Sequence, residues 1–159
     1  MRVIVVGAGL TGLNCAASLV RAGVPVDVFE KEPKLTTTGP IVLHTSALRV
    51  LQDNEICGDI DMVTNKIRSI HFLKASDGKP FSELNVDVDP IKMDGGSRQL
   101  HKFGTEYRAS KREYLAGKVL KELPEGTVHF GREVVDVVDK QGHMLKVVFK
   151  DGTEEEADV

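Results

Sequence analysis

The chain has 159 residues, of which 41% are hydrophobic and 28% are charged. This length and balance suit one folded domain and exclude a disordered or collagen-like chain. A net charge of -3 and an aromatic content of 5% argue against a nucleic-acid-binding protein. No run of about 18 apolar residues is present, so we expect no membrane span. Because Cys15 and Cys57 are too few for a disulfide scaffold, we expect a reduced, cytoplasmic protein.

The first 30 residues predict a strand, a helix and a second strand. Residues 2–6 are uniformly apolar after Arg2, which is typical of a strand buried on both faces of a parallel sheet. Residues 10–22 show helical spacing of apolar side chains, and Gly23 followed by Pro25 marks the end of that helix. Residues 26–30 form the second predicted strand, which completes one βαβ unit.

A glycine motif lies between the first strand and the helix, with Gly7, Gly9 and Gly12 in the spacing GxGxxG. In a dinucleotide site the first glycine permits a tight turn, the second lets the backbone approach a pyrophosphate, and the third lets the helix pack closely. Glu30 follows Gly12 by 18 residues and ends the second strand. A carboxylate at this position can accept hydrogen bonds from the hydroxyl groups of a ribose. The alternative is a glycine-rich turn beside an unrelated surface glutamate.

The choice of dinucleotide depends on the segment after Glu30. An NAD domain is expected to continue as regular βαβ units, but residues 31–40 form a polar loop that contains Thr36 to Thr38. This broken continuation favours FAD over NAD(P). A carboxylate at position 30 also argues against binding a 2′-phosphate.

The remaining elements predict a mixed fold. We expect a helix over 46–54, a hairpin of strands at 67–74 and 81–88, a long loop over 90–104, and a helix up to Leu123 opened by a capping box from Ser110 to Glu113. A three-stranded meander is predicted over 127–130, 134–139 and 144–150, with a turn at 141–142, and residues 154–159 would continue it. The prediction is one α/β domain, with a Rossmann-like FAD/NAD(P)-binding βαβ sheet and a small antiparallel meander.

Several segments, in order, carry a resemblance to a known family. They are residues 3–12, Phe29-Glu30-Lys31, residues 43–51 with Ala47-Leu48-Arg49-Val50-Leu51, Arg112-x-x-Leu115, residues 123–131, and Asp151-Gly152-Thr153 near Ala157-Asp158. Together they resemble the N-terminal part of the single-component FAD-dependent monooxygenases, the para-hydroxybenzoate hydroxylase-like and salicylate hydroxylase-like group. Such enzymes use NADH or NADPH and O2 to hydroxylate an aromatic-type small molecule.

The resemblance implies roles for particular residues. The segment Gly7-Ala8-Gly9-Leu10-Thr11-Gly12 would hold the FAD pyrophosphate, and Glu30 the adenosine ribose. Lys31 would lie near the adenine, Arg112 would reach the ribityl or phosphate region, and Gly39 would mark the loop beside the flavin. No residue of the chain stands out as a catalytic acid or base. The five histidines have no ligand spacing, so no metal site is expected.

The family continues after the segment that matches Ala157-Asp158, so we expect residues 1–159 to be an incomplete FAD-binding domain. The C-terminal FAD-binding elements and the substrate domain would be absent, and we expect either self-association or a partner that supplies the missing half. The isolated chain is then expected not to hydroxylate a substrate. The alternative is a stand-alone homologue without redox activity, acting as a nucleotide-binding accessory protein or a cofactor-free isomerase.

Overall fold

A computed structural model describes residues 1–55, 58, 62–86, 107–139 and 144–159. The chain forms two compact units: residues 1–39 with 112–159, called here the first unit, and residues 40–111, called the second unit. The long loop predicted at 90–104, the turn predicted at 141–142 and Cys57 lie outside the described residues.

The described helices and strands are numbered in chain order. They are β1 (Val3–Val6), α1 (Leu10–Arg21), β2 (Val26–Glu30), β3 (Pro40–Leu43), α2 (Thr45–Asp53), β4 (Asn65–Lys66), β5 (Ser69–Leu73), β6 (Pro80–Asn85), β7 (Arg108–Lys111), α3 (Arg112–Glu122), β8 (Val128–Phe130), β9 (Val134–Asp139), β10 (Leu145–Phe149) and β11 (Glu154–Ala157).

The first unit contains a parallel sheet in the order β1-β2-β8. Strands β1 and β2 pair from Val3 opposite Val26 to Val6 opposite Phe29, and α1 is the crossover between them. The predicted βαβ unit is therefore confirmed. Because β1 and β2 run in parallel, their carboxyl ends lie at the same edge of the sheet, where the glycine turn and Glu30 meet.

An antiparallel sheet in the order β11-β10-β9 completes the first unit and confirms the predicted α/β fold with a small meander. The membership of the meander was predicted wrongly in one respect. Strand β8 was expected to be its first strand, but it pairs in parallel with β2, from Val28 opposite Val128 to Glu30 opposite Phe130. Residues 154–157 instead supply the third meander strand.

The second unit contains the sheet β3-β7-β4, the hairpin β5-β6 and helix α2. The hairpin lies close to its predicted position, and α2 begins one residue before the predicted helix. Strand β3 was not predicted, because Pro40 and the preceding threonines made residues 31–40 appear to be a continuous loop. It pairs with β7 from Pro40 opposite Lys111 to Leu43 opposite Arg108.

The predicted capping box at Ser110 is wrong. Strand β7 extends through Lys111, so Ser110 lies in a sheet opposite Ile41, and helix α3 begins only at Arg112. The Ser110 hydroxyl donates a hydrogen bond to the carbonyl of Val63. Ser110 therefore belongs to strand β7 and does not cap α3.

The helices of the first unit bury narrow apolar stripes. Helix α1 buries Leu13, Ala16 and Ala17. It contacts α3, whose buried apolar residues are Leu115, Ala116 and Val119. Cys15, on the same helix as Leu13, is exposed. It lies outside the stripe because residues 13, 16 and 17 follow the i, i+3, i+4 spacing of one helical face.

A polar network joins the parallel sheet to the meander. Asp27 of β2 accepts from Arg2 Nε at 2.9 Å and lies 2.9 Å from His129 Nε2 of β8. Arg2 Nη1 also donates to Glu155 of β11 at 3.0 Å. Burial raises the pKa of the Asp27 carboxyl, but hydrogen bonds from His129 and Arg2 outweigh it, so the pKa lies below its usual value.

This lowered pKa predicts a loss of stability in acid. Since the folded-state pKa of Asp27 lies below the unfolded one, its contribution is present above the unfolded value of about 3.9 and is lost as pH falls through the folded value. We expect the free energy of unfolding of the wild type to decline more steeply below about pH 4 than that of Asp27→Asn. Urea unfolding between pH 7 and pH 3 measures this, with Asp53→Asn as the control. Parallel curves for wild type and Asp27→Asn would contradict the assignment.

Candidate functional site

The glycine turn joins β1 to α1 by a close approach of two backbone segments. Gly7 has φ +98°, a conformation that favours glycine, and its N–H donates to the carbonyl of Phe29 at 2.8 Å. A Cβ built on Gly12 would lie 2.1 Å from the carbonyl oxygen of Gly7. The sequence motif thus has a steric cause, because only a residue without a side chain lets the first turn of α1 pass the end of β1.

A substitution at Gly12 should therefore disturb the fold itself. Gly12→Ala forces the helix away from the turn, and we expect the free energy of unfolding to fall by about 2 kcal/mol or more. Chemical denaturation without ligand measures the change. Gly9→Ala is the matched control, since a Cβ on Gly9 meets nothing within 4 Å and its φ is -66°. Equal losses in both variants would contradict the steric argument.

The first turn of α1 is open to an anion. Gly9 is the N-cap, no side chain caps the helix, and the first turn carries no acidic residue. The N–H groups of residues 9–12 have no hydrogen-bond acceptor among the described residues, whereas Leu13 already donates to Gly9. Free N–H groups at a helix start carry partial positive charge and favour a phosphate or carboxylate.

The Glu30 carboxylate is bound to the backbone on both sides of the site. Its Oε2 accepts from the N–H of Ala8 at 2.7 Å, and its Oε1 accepts from the N–H of Glu32 at 3.0 Å. Ala8 is only 2% exposed, so this N–H has little access to water. Each carboxylate oxygen has a further lone pair. Glu30 can therefore hold the turn and still accept hydrogen bonds from hydroxyl groups of a ligand.

Removal of this carboxylate should be visible without any ligand. Glu30→Ala leaves the buried N–H of Ala8 without its acceptor, which costs about 1–3 kcal/mol of unfolding free energy. Urea titration of the ligand-free protein measures the loss. Glu32→Ala serves as the control, because its backbone N–H still donates to Glu30. A stability of Glu30→Ala equal to that of the wild type would show that the bond to Ala8 contributes nothing.

A cleft of about 240 Å³ opens beside these groups. Of the predicted site residues, Ala8, Gly9, Glu30 and Lys31 line it. Four further lining residues were not singled out from the sequence as site residues: Glu32, Leu35, Thr36 and Thr37. The sequence predicts the threonine run as part of a loop. The position of that loop directly after Glu30 is the sequence feature that could have placed Thr36 and Thr37 at the site.

Gly39 and Arg112 lie next to each other in the first unit but are not among the residues lining this cleft. The N–H of Arg112 donates to the carbonyl of Gly39 at 2.9 Å, both residues are exposed, and Gly39 has φ +91°. The structure therefore brings this pair together at the start of α3. Their expected roles beside the ribityl chain and the flavin stay predictions.

Neither a metal site nor a membrane span is found in the described part of the chain. No group of three or more His, Cys, Asp or Glu side chains there could hold a metal ion. Within the same residues, no helix has the length and hydrophobicity needed to cross a membrane.

Comparison with known proteins agrees with this geometry. The family model of the NAD(P)-binding Rossmann-like domain matches residues 5–46, which include the glycine turn, Glu30 and the cleft loop. The 3-amino-4-hydroxybenzoate 2-monooxygenase PtmB3 of Streptomyces platensis is 27% identical over 159 residues, covering 99% of this chain and 38% of the relative. Monooxygenase 2 of Arabidopsis thaliana is 31% identical over 153 residues, covering 95% of this chain and 34% of the relative.

Over nearly its whole length, the chain is similar to the N-terminal part of FAD-dependent aromatic monooxygenases. This confirms the resemblance found in the sequence. The crystal structure of Klebsiella pneumoniae HpxO complexed with FAD and uric acid superposes with a TM-score of 0.76 at 21% identity, covering 100% of this chain and 38% of that one, which shows a shared fold. The chain spans little more than a third of the length of these relatives.

Proposed function

We propose that the chain is the FAD-binding portion of a flavin-dependent monooxygenase that uses NAD(P)H and O2 to hydroxylate an aromatic small molecule. The observation that carries the proposal is the open helix start beside the Glu30 carboxylate, in a chain similar throughout to such enzymes. NADH and NADPH both remain candidates for the reductant.

The residues present fit the pyrophosphate of FAD. The free N–H groups of residues 9–12 supply donors, and the absence of an acidic side chain in the first turn of α1 removes a source of repulsion. The space where a Cβ of Gly9 would stand is empty, so a phosphate can approach the backbone there. The N–H of Ala8 donates to the Glu30 carboxylate and is therefore not available to a phosphate. Ala8 contributes to the site by holding the turn in place.

The ribose of the adenosine half fits the Glu30 carboxylate. Its two oxygens are already oriented by Ala8 and Glu32, so no side-chain freedom is lost when hydroxyl groups bind. Hydrogen bonds to a charged carboxylate are worth about 1.5–3 kcal/mol. Glu30 therefore contributes affinity and a preference for a ribose without a 2′-phosphate.

The bound flavin would supply the redox chemistry, since it accepts hydride from NAD(P)H and activates O2. The contribution of this chain's residues is to bind and orient. The turn at residues 7–12 would hold the pyrophosphate and Glu30 the ribose of the adenosine half, and the loop with Thr36 and Thr37 forms a further wall of the same cleft. No described residue is assigned a proton-transfer role.

Gly9→Val tests the proposal. A valine side chain would stand where the pyrophosphate approaches the backbone, so FAD binding should fall by at least about a hundredfold while the fold survives. Fluorescence titration of FAD into wild type and variant measures the affinities, and circular dichroism confirms the fold.

The wild type decides between the two functional hypotheses. A yellow purified protein, or one reconstituted by added FAD, supports the flavoprotein. A colourless wild type that takes up no FAD would refute the proposal and favour a stand-alone protein without redox activity. Wild-type affinity retained in Gly9→Val would mean that the turn is only structural.

A further inference from the structure

A second cleft, of about 260 Å³, lies in the first unit and shares Lys31 with the cleft beside Glu30. Arg132, Phe149 and Lys150 are among the residues that line it. No role was predicted for any of these three from the sequence. The shared lysine makes the two clefts neighbours.

The second cleft is tied to Glu30 by backbone hydrogen bonds. The N–H of Arg132 donates to the carbonyl of Glu30 at 2.8 Å, and the N–H of Gly131 donates to the carbonyl of Glu32 at 2.9 Å. The segment after β8 therefore runs beside the residue that fits the ribose. Since a nucleoside base is bonded directly to its ribose, this segment is within reach of a base on a ribose held by Glu30.

Arg132 presents a flat surface at this place. Its Cζ lies 4.1 Å from the centroid of the Phe149 ring and 5.7 Å from that of Phe29, so the guanidinium stacks on a buried aromatic pair. Nη2 donates to Thr153 Oγ1 at 3.0 Å, and Nε has no acceptor among the described residues. The side chain is thus held in place from one side, with its own hydrogen-bonding capacity incompletely used.

The other charged side chains that line the second cleft already have ion-pair or hydrogen-bond partners. Lys150 pairs with Glu133 at 2.7 Å, and Asp151 accepts from both the N–H and the hydroxyl of Thr153. A ligand entering here therefore meets the guanidinium face and the Lys31 ammonium instead of an unpaired carboxylate. Planar guanidinium groups stack on nucleobases as well as on aromatic side chains.

We propose that Arg132 is the base-stacking residue of the dinucleotide site, and that its guanidinium is held between Phe149 and the adenine ring of the bound cofactor. The inference rests on the proposed function, because it takes the ribose to be bound by Glu30. It assigns the preference for a purine base to a residue of the segment between β8 and β9. The rival position for the base is the far end of the first cleft, at residues 35–37.

The test compares ADP with CDP, two probes with the same ribose and the same phosphate charge but bases of different stacking area. Wild type should bind ADP about tenfold more tightly than CDP, as measured by isothermal titration calorimetry. Arg132→Lys keeps the positive charge and removes the flat face, so ADP and FAD affinity should fall about tenfold while CDP affinity changes about twofold. Arg49→Lys is the same change on α2 and should leave the affinities for ADP, CDP and FAD unchanged.

Each outcome separates the two proposals. A wild type that binds neither FAD nor ADP refutes the proposed function, and the stacking role fails with it. Equal affinities of the wild type for ADP and CDP would refute the stacking role and leave the proposed function standing. This outcome can be read from the wild type without any variant. Equal losses of ADP and CDP in Arg132→Lys, or no loss, also refute stacking. If Arg132→Lys does not fold by circular dichroism, Arg132→Met keeps an apolar stem over Phe149 and should show the same reduced ratio of ADP to CDP affinity.

Discussion

The passage of α1 past the end of β1 sets the geometry on which the rest of the first unit depends. Only 2.1 Å separates the position of a Cβ on residue 12 from the carbonyl oxygen of Gly7, so the backbone itself forms the contact. This contact directs the free N–H groups of the helix start to the carboxyl end of the parallel sheet. If the helix were displaced to admit a side chain, the donors and Glu30 would no longer flank the same cleft.

Glu30 connects this turn to the loop that comes after β2. One carboxylate oxygen accepts from the turn and the other from the loop, so a single side chain fixes two walls of the cleft before any ligand is present. A polar group that is already oriented loses little entropy when it binds, which favours affinity. The same arrangement explains why a carboxylate suits this position better than an amide, since an amide has only one oxygen for two backbone donors.

Local patterns allowed much of this fold to be predicted, and non-local pairing accounts for the errors. The βαβ unit and the roles proposed for Gly7, Gly9 and Gly12 come from residues close together in sequence, where spacing and steric limits are informative. Strand β8 looked like the start of the meander because its partner β2 lies about 100 residues earlier. Ser110 looked like a helix cap because nothing near it in sequence reveals the pairing of β7 with β3.

The misassigned strand is also the one that brings the meander to the proposed nucleotide site. Because β8 runs parallel to β2, both strands end at the same edge, and the chain leaves β8 beside Glu30 before it enters β9. Arg132 lies in this connection and stacks on Phe149, a meander residue packed against Phe29 of β2. The small antiparallel sheet therefore packs against the end of the parallel sheet where we propose that the dinucleotide binds. The backbone hydrogen bond from Arg132 to Glu30 follows from this parallel pairing, because it places the residues after β8 beside the end of β2.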